Sequence, residues 1–169
     1  MKKIGLLGGS FDPPHKGHLY ISLEARKILK LDEIWWLVTP KNPLKILNPA
    51  SYEQRILNCI KLTKNHPIKI KEIEKRINSK YSYQTINYLK KHYSKINFFW
   101  LMGADNLINF HKWYKWKQIS RKCNIIVFDR HGYKKKSLNS KTFKNLNKKQ
   151  IAFVEFNKVN ISSSQLRKI

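Results

Sequence analysis

Short apolar segments alternate along the chain with longer amphipathic ones. The apolar segments have the length and composition of buried strands, and the amphipathic ones carry apolar residues at helical spacing. This order predicts an α/β fold in which helices cover both faces of a parallel sheet. Ser51 followed by Gln54 has the pattern of a capping box at a helix start. The predicted strands are Lys3–Leu7, Glu33–Thr39, Ile68–Ile73, Ile96–Met102, Asn124–Phe128 and Ile151–Phe156, and the predicted helices are Gly17–Lys30, Ser51–Lys64 and Tyr83–Tyr93.

The carboxyl ends of these strands are where we expect the chemistry. In open parallel sheets, ligands bind in the crevice beyond the carboxyl ends of the strands. The residues directly after Leu7, Thr39, Met102 and Phe128 are therefore the first candidates for a functional site.

The length of 169 residues indicates one domain, 1–169, because domains most often have about 100–150 residues. A Lys/Asn-rich stretch, 133–149, is expected to be an exposed segment of that domain, either a loop or a charged helix. Cys59 and Cys123 lie far apart and form no CxxC pair, so neither a disulfide framework nor a zinc site is indicated. The apolar run at the N-terminus stops too early for a signal peptide, and no apolar stretch is long enough for a membrane span. We expect a cytoplasmic protein with no membrane partner.

The strongest feature of the composition is its charge. Lys and Arg total 35 and Asp and Glu total 10, which gives a formal net charge of +25. Such an excess favours polyanionic partners, such as phosphorylated small molecules or nucleic acid. A second interpretation remains open, because a surplus of Lys, Asn and Ile is also what an AT-rich genome encodes at tolerant surface positions.

The first predicted strand ends in the sequence GGSFDPPHKGH, residues 8–18. Gly8 and Gly9 allow a tight turn and close approach of a ligand to the backbone. His15 and His18 then stand three residues apart at a helix start, so both imidazoles can face the same side. Free N–H groups and the helix dipole favour an anion there, which indicates a phosphate site. The same histidine spacing would also suit a metal ion.

This segment resembles the signature of the HxGH nucleotidyltransferases, most closely the nicotinate-nucleotide adenylyltransferases of bacterial NAD synthesis. The C-terminal segment ISSSQLR, residues 161–167, is similar to the ISSTxIR motif of that family, with Ser164 at the Thr position. The resemblance implies a Rossmann-like, doubly wound fold in a single domain. It also implies that ATP is bound at Gly8, Gly9, Ser10, Phe11, Gly17, Ile161, Ser163, Ser164 and Arg167, with His15 and His18 as catalytic residues.

The resemblance continues between the two ends of the chain. Residues 103–116 are similar to a GxDxLxxFxxW segment, which implies that Gly103 and Asp105 contact the adenosine of ATP. It also implies that Trp113 stacks on the nicotinate ring next to Tyr114. Trp116 is expected in the core.

Three further matches imply the rest of the acceptor site. Thr85 would meet the nicotinate carboxylate through its backbone, and Gln84 before it replaces the acidic residue of the family. Lys45 and Arg130 match basic positions that would bind the phosphate of nicotinate mononucleotide. Leu44 departs from the family pattern because a histidine is common at that position.

The implied reaction is adenylyl transfer from ATP to nicotinate mononucleotide, which gives deamido-NAD and pyrophosphate. Mg²⁺ would arrive with ATP and be bound through phosphates and water, so no protein side chain is expected to ligate a metal. Related enzymes acting on nicotinamide mononucleotide or pantetheine phosphate are alternatives. A basic nucleic-acid-binding module is the alternative of a different class, but no nucleic-acid-binding motif is visible.

Overall fold

The computed structural model describes residues 1–40, 50–129 and 133–154. Six strands alternate with helices in the order of the chain. The strands are β1 (Lys2–Gly9), β2 (Glu33–Val38), β3 (Ile68–Lys71), β4 (Ile96–Gly103), β5 (Asn124–Phe128) and β6 (Ile151–Val154). The helices are α1 (Lys16–Leu29), α2 (Tyr52–Thr63), α3 (Ile73–Arg76), α4 (Ser82–His92), α5 (Ala104–Asn109), α6 (Trp116–Lys122), α7 (Lys134–Leu138) and α8 (Lys141–Asn145), with 3₁₀ turns at Phe110–Lys112 and Lys148–Gln150.

All six strands belong to one sheet with the order β3-β2-β1-β4-β5-β6, and every neighbouring pair is parallel. This is the strand order of a doubly wound Rossmann-type sheet, so the predicted fold class is confirmed. The chain first adds β2 and β3 on one side of β1 and then crosses to add β4, β5 and β6 on the other. A crevice opens between β1 and β4, where the winding direction reverses.

The apolar strands bury side chains on both faces of the sheet. Successive residues of β2 enter different cores: Trp35 lies in the cluster that contains Leu6 and Phe98, and Trp36 lies in the cluster that contains Phe11 and Leu101. All six residues of β2 are buried. A parallel strand covered by helices on both sides needs such a continuous apolar run, which is why these strands were visible in the sequence.

Several boundaries differ from the expectation. The third strand ends at Lys71 rather than Ile73, and Ile73 instead begins the short helix α3. Ser51 caps α2, since its Oγ accepts from the Gln54 N–H at 3.1 Å, but the Gln54 side chain donates to Asn58 instead of closing a capping box. The predicted last strand is described only to Val154.

The Lys/Asn-rich segment 133–149 contains two short helices, so of the two forms expected for it the helical one is found. It forms α7 and α8, and its lysines are exposed apart from the half-buried Lys134. Ser137 and Thr142 are nevertheless fully buried, and Thr142 Oγ1 accepts from the His111 N–H at 3.0 Å. Small hydroxyl residues between the lysines thus attach the segment to the end of α5.

A charged cluster ties three strands together at the amino end of the sheet, away from the crevice. Glu33 accepts hydrogen bonds from Lys2, from Trp35 Nε1 at 2.8 Å and from Lys69 Nζ. Burial by itself would raise the pKa of Glu33, but the three hydrogen bonds outweigh burial and lower this pKa from 4.5 to about 2.

We predict that Glu33→Gln destabilises the protein in a pH-dependent way. The fold favours the ionised carboxylate, so its contribution is complete above pH 4.5 and is lost as the pH falls towards 2. Urea unfolding should give a deficit of about 1 kcal/mol at pH 7 that shrinks between pH 4.5 and 3. Glu53→Gln, which removes the same charge from an exposed pair with Lys75, is the control. An unchanged deficit at low pH would contradict the assignment.

Candidate active site

The crevice lies between the carboxyl ends of β1 and β4. Gly9 and Gly103 end these two strands, and the loops that follow them are the ones singled out in the sequence. Gly8 lies directly over the ring of Trp100 on β4, because a Cβ at that position would be 3.2 Å from Trp100 Cη2. A side chain at Gly8 would therefore have to displace a buried indole.

The loop after β1 turns sharply at Phe11. Phe11 has a φ of 51°, in the left-handed region that residues with a side chain rarely adopt. Its ring is only 1% exposed and stacks on Trp36, with ring centroids 4.6 Å apart and an interplanar angle of 16°. The buried ring is not available to a ligand, so any contact of Phe11 with ATP falls to its backbone.

His15 and His18 lie side by side at the start of α1, with ring centroids 3.8 Å apart. The N–H of Gly17 donates to His15 Nδ1 at 3.0 Å, and the N–H of His15 donates to His18 Nδ1 at 3.2 Å. A backbone N–H can only donate, so each Nδ1 is an acceptor and the proton of each neutral imidazole is on Nε2. Both rings are therefore fixed as Nε2–H donors.

His18 is held from three sides. Its Nδ1 accepts from His15, and its ring lies 4.8 Å from the Phe11 ring. On its backbone side, the Ser22 hydroxyl donates to the His18 carbonyl at 2.8 Å and accepts from Trp36 Nε1 at 2.8 Å. Ser22 and Trp36 are fully buried, so this support is rigid.

The electrostatics around the histidine pair favour an anion. α1 has 14 residues, and its first turn contains no acidic residue that would oppose the positive end of the helix dipole. Gly17 is buried and Lys16 is exposed beside it. A phosphate at this helix start would meet backbone N–H groups and two imidazole donors.

Gly103 and Asp105 lie across the crevice from this loop. Gly103 ends β4, and α5 starts at the next residue, which places Asp105 in the first turn of that helix. Asp105 is half-buried. The two residues predicted to contact adenosine thus lie at the end of β4 and the start of α5, and β4 pairs with β1, the strand that leads to the histidines.

Tyr114, next to Trp113 in the chain, faces the amino end of α4. The exposed ring of Tyr114 packs on Tyr81 at 4.7 Å, which joins it to the first turn of α4, where Thr85 lies. Thr85 is fully buried: its hydroxyl bonds to Ser79 Oγ at 2.8 Å, and its N–H donates to the Tyr81 carbonyl at 3.4 Å.

Trp113 is half-buried and packs edge-on against Trp100 and Phe110, with ring centroids 6.3 and 5.1 Å away. Only Trp116 was predicted to pack on the core, but Trp113 and Trp116 both pack against the same core cluster. Trp100 touches Trp113 on one side and underlies Gly8 on the other, so it joins this cluster to the histidine loop.

Gln84 has a clear local role. Its Oε1 accepts from the N–H groups of Lys80 and Tyr81 at 2.8 and 3.1 Å, which closes the amino end of α4. A glutamine can accept these bonds as a carboxylate does. The departure from the acidic residue therefore keeps the helix start in place.

Six predicted site residues lie outside the described residues: Lys45, Arg130, Ile161, Ser163, Ser164 and Arg167. The structure also adds residues that the sequence did not indicate, namely Ser22, Trp36 and Arg55. Arg55 is 5% exposed and binds the carbonyl oxygen of Ser10. The sequence did contain one indication of Arg55. The chain has only six arginines beside 29 lysines, so each arginine is a candidate for a position that needs the planar donor set of a guanidinium.

Within residues 1–40, 50–129 and 133–154, no three His, Cys, Asp or Glu side chains come together in a way that could hold a metal ion. In the same part of the chain, none of the helices has the length and apolar composition needed to cross a bilayer.

Comparison with known proteins agrees with the family that the sequence motifs predicted. Residues 6–169 match the cytidylyltransferase-like family model. The chain is 54% identical over 168 residues to a Pelagibacter ubique protein named "Probable nicotinate-nucleotide adenylyltransferase", covering 99% of this chain and 93% of the relative. A Bradyrhizobium protein of the same name is 42% identical over 89% of this chain and 79% of its own length.

The fold recurs in a solved structure. The Plasmodium falciparum nicotinic acid mononucleotide adenylyltransferase complexed with NaAD superposes with a TM-score of 0.82 at 20% identity, over 99% of this chain and 83% of that one. At that identity the likeness shows the shared fold alone. The near full-length identity to the bacterial relatives shows more, and by it the chain belongs to the nicotinate-nucleotide adenylyltransferase family of cytidylyltransferase-like proteins.

Proposed function

We propose that this protein transfers the adenylyl group of ATP to nicotinate mononucleotide, giving deamido-NAD and pyrophosphate. The observation that carries the proposal is the pair of Nε2–H donors that His15 and His18 present at the start of α1, at the strand crevice. The names of the bacterial relatives support the choice of acceptor.

The chemistry of this reaction suits a site without a general base. The phosphate of the mononucleotide is already an anion at neutral pH, so it can attack the α-phosphorus of ATP without losing a proton. The Pα–O bond to the β-phosphate breaks as the new P–O bond forms, and pyrophosphate leaves with the electron pair. The protein must align the two reactants and offset the repulsion between their charges.

The two histidines would supply this offset. Each Nε2–H can donate to a phosphate oxygen without any proton transfer, and the backbone bonds to Nδ1 keep both rings oriented. We assign His18 to the charge that develops in the transition state and His15 to the neighbouring phosphate. His15, at 7% exposure, also caps α1, so it serves the fold as well.

The remaining assignments follow the sequence resemblance. Ser163, Ser164 and Arg167 would bind the β- and γ-phosphates, and Gly103 and Asp105 the adenosine. Lys45 and Arg130 would bind the phosphate of the mononucleotide, while Trp113, Tyr114 and the Thr85 backbone would hold its ring and carboxylate. ATP would enter as its Mg²⁺ complex, with the ion carried by the phosphates and water.

We expect an acceptor panel to separate the possible functions. Pyrophosphate release would be measured with ATP and each of nicotinate mononucleotide, nicotinamide mononucleotide and phosphopantetheine, and compared as kcat/KM. The proposal requires the highest value for nicotinate mononucleotide. A higher kcat/KM for another acceptor would assign the protein the reaction with that acceptor. No pyrophosphate release with any of the three would favour a nucleic-acid-binding module.

We predict that His18→Ala lowers kcat by at least ~100-fold, because it removes one donor aimed at developing charge. His92→Ala is the matched control, since His92 is exposed at the end of α4. Thermal unfolding of both variants checks that the fold is intact. A folded His18→Ala enzyme with a near-normal rate would exclude the role assigned to His18.

A further inference from the structure

The α2 helix buries a charged residue that the reaction itself does not call for. Arg55 is 5% exposed, although the same helix leaves Leu57 and Ile60 more than half exposed. The Arg55 guanidinium donates to four carbonyl oxygens: Nη1 to Ser10 at 2.7 Å and to Thr39 at 2.8 Å, Nη2 to Pro40 at 2.9 Å, and Nε to Ala50 at 3.3 Å.

Burying the Arg55 guanidinium costs free energy unless its hydrogen bonds offset the loss of water. Taking a guanidinium out of water has a large desolvation penalty, which a carboxylate partner usually offsets. Among the ion pairs of the described residues, none includes Arg55. Carbonyl dipoles therefore supply the hydrogen bonds to the charge, and the Tyr52 ring lies 5.4 Å from the guanidinium carbon. The rigid, planar donor set of arginine matches acceptors that come from separate segments.

The position of these carbonyls is informative. The β1–β2 ladder ends where the Thr39 N–H donates to the Gly9 carbonyl at 2.9 Å. One residue further, Nη1 bridges the carbonyls of Ser10 and Thr39. Arg55 thus continues the connection between the two strand ends at the point where the backbone can no longer do so.

The bond to Ser10 reaches the catalytic histidine through one intermediate residue. Phe11 follows Ser10 and has the left-handed φ of 51°, a conformation that costs about 1 kcal/mol or more and persists only where neighbours enforce it. The Phe11 ring in turn packs 4.8 Å from the ring of His18. A loop released at Ser10 would let Phe11 relax and would remove the support of the His18 ring.

We propose that Arg55 is a positioning residue that fixes the phosphate-binding loop, residues 8–15, against the end of β2 and so aligns His18 for the reaction. The proposal rests on the proposed adenylyl transfer for its kinetic test. It concerns geometry rather than charge, because a lysine would keep the charge but has its donors on a single nitrogen, whereas Arg55 uses three separate nitrogens to reach four carbonyls.

The test compares Arg55→Lys and Arg55→Gln with Thr63→Val. Thr63 is 5% exposed on the same helix, and among the described residues its hydroxyl bonds only to carbonyls of that helix, so replacing it weakens α2 without touching the loop. We expect both Arg55 variants to lose ~10–100-fold in kcat/KM for ATP, with part of the loss in KM. Thr63→Val should keep the wild-type KM even where its Tm falls equally, since partial unfolding lowers the active fraction but not KM.

Arg55→Lys with wild-type kinetics would overturn the proposal, because charge alone would then suffice. Kinetic losses that Thr63→Val reproduces at an equal Tm would also overturn it. Hydrogen–deuterium exchange of residues 8–15 gives a readout that does not need activity, and the amides of this loop should exchange faster in Arg55→Lys than in Thr63→Val. If the wild type shows no adenylyl transfer, the proposed function fails, while unchanged exchange in the loop would refute the role of Arg55 independently.

Discussion

The reversal of winding at β1 is the constraint on which the site depends. β1 lies between β2 and β4, so it has a paired strand on both edges, and its residues 4–7 are buried. Beyond Gly9 the chain no longer pairs with β2 or β4, and it turns across the crevice. This turn brings the start of α1, with its N–H groups and both histidines, over the carboxyl ends of the strands, where an anion can reach them.

Residues from elsewhere in the chain hold the conformation of this loop. Trp36 on β2 receives the Phe11 ring and also donates to Ser22, which holds the His18 carbonyl. Arg55 on α2 binds the Ser10 carbonyl. Aromatic packing and carbonyl-bound arginine together keep a strained backbone in one state, which is the preorganisation that charge stabilisation in a transition state needs.

Sequence patterns predicted the sheet well and the short helices poorly, for one physical reason. A buried strand is a continuous apolar run and is visible in five residues, as in β5, whose bounds were predicted without error. Helices of four to seven residues, such as α3, α5 and α6, are too short to show a helical period. The histidine loop was found because its glycines and histidines are consecutive. Arg55 was missed because its partners are backbone carbonyls, which carry no mark in the sequence.

The net charge of +25 describes the surface better than the site. The lysines of α7 and α8 other than Lys134 are exposed, so salt screens their charges and limits their effect to the encounter with anionic substrates. In the described part of the site, the donors are instead uncharged imidazole Nε2–H groups and the backbone at the start of α1. The backbone bonds to Nδ1 fix the direction of both Nε2–H donors, and this orientation is a property that the composition does not show.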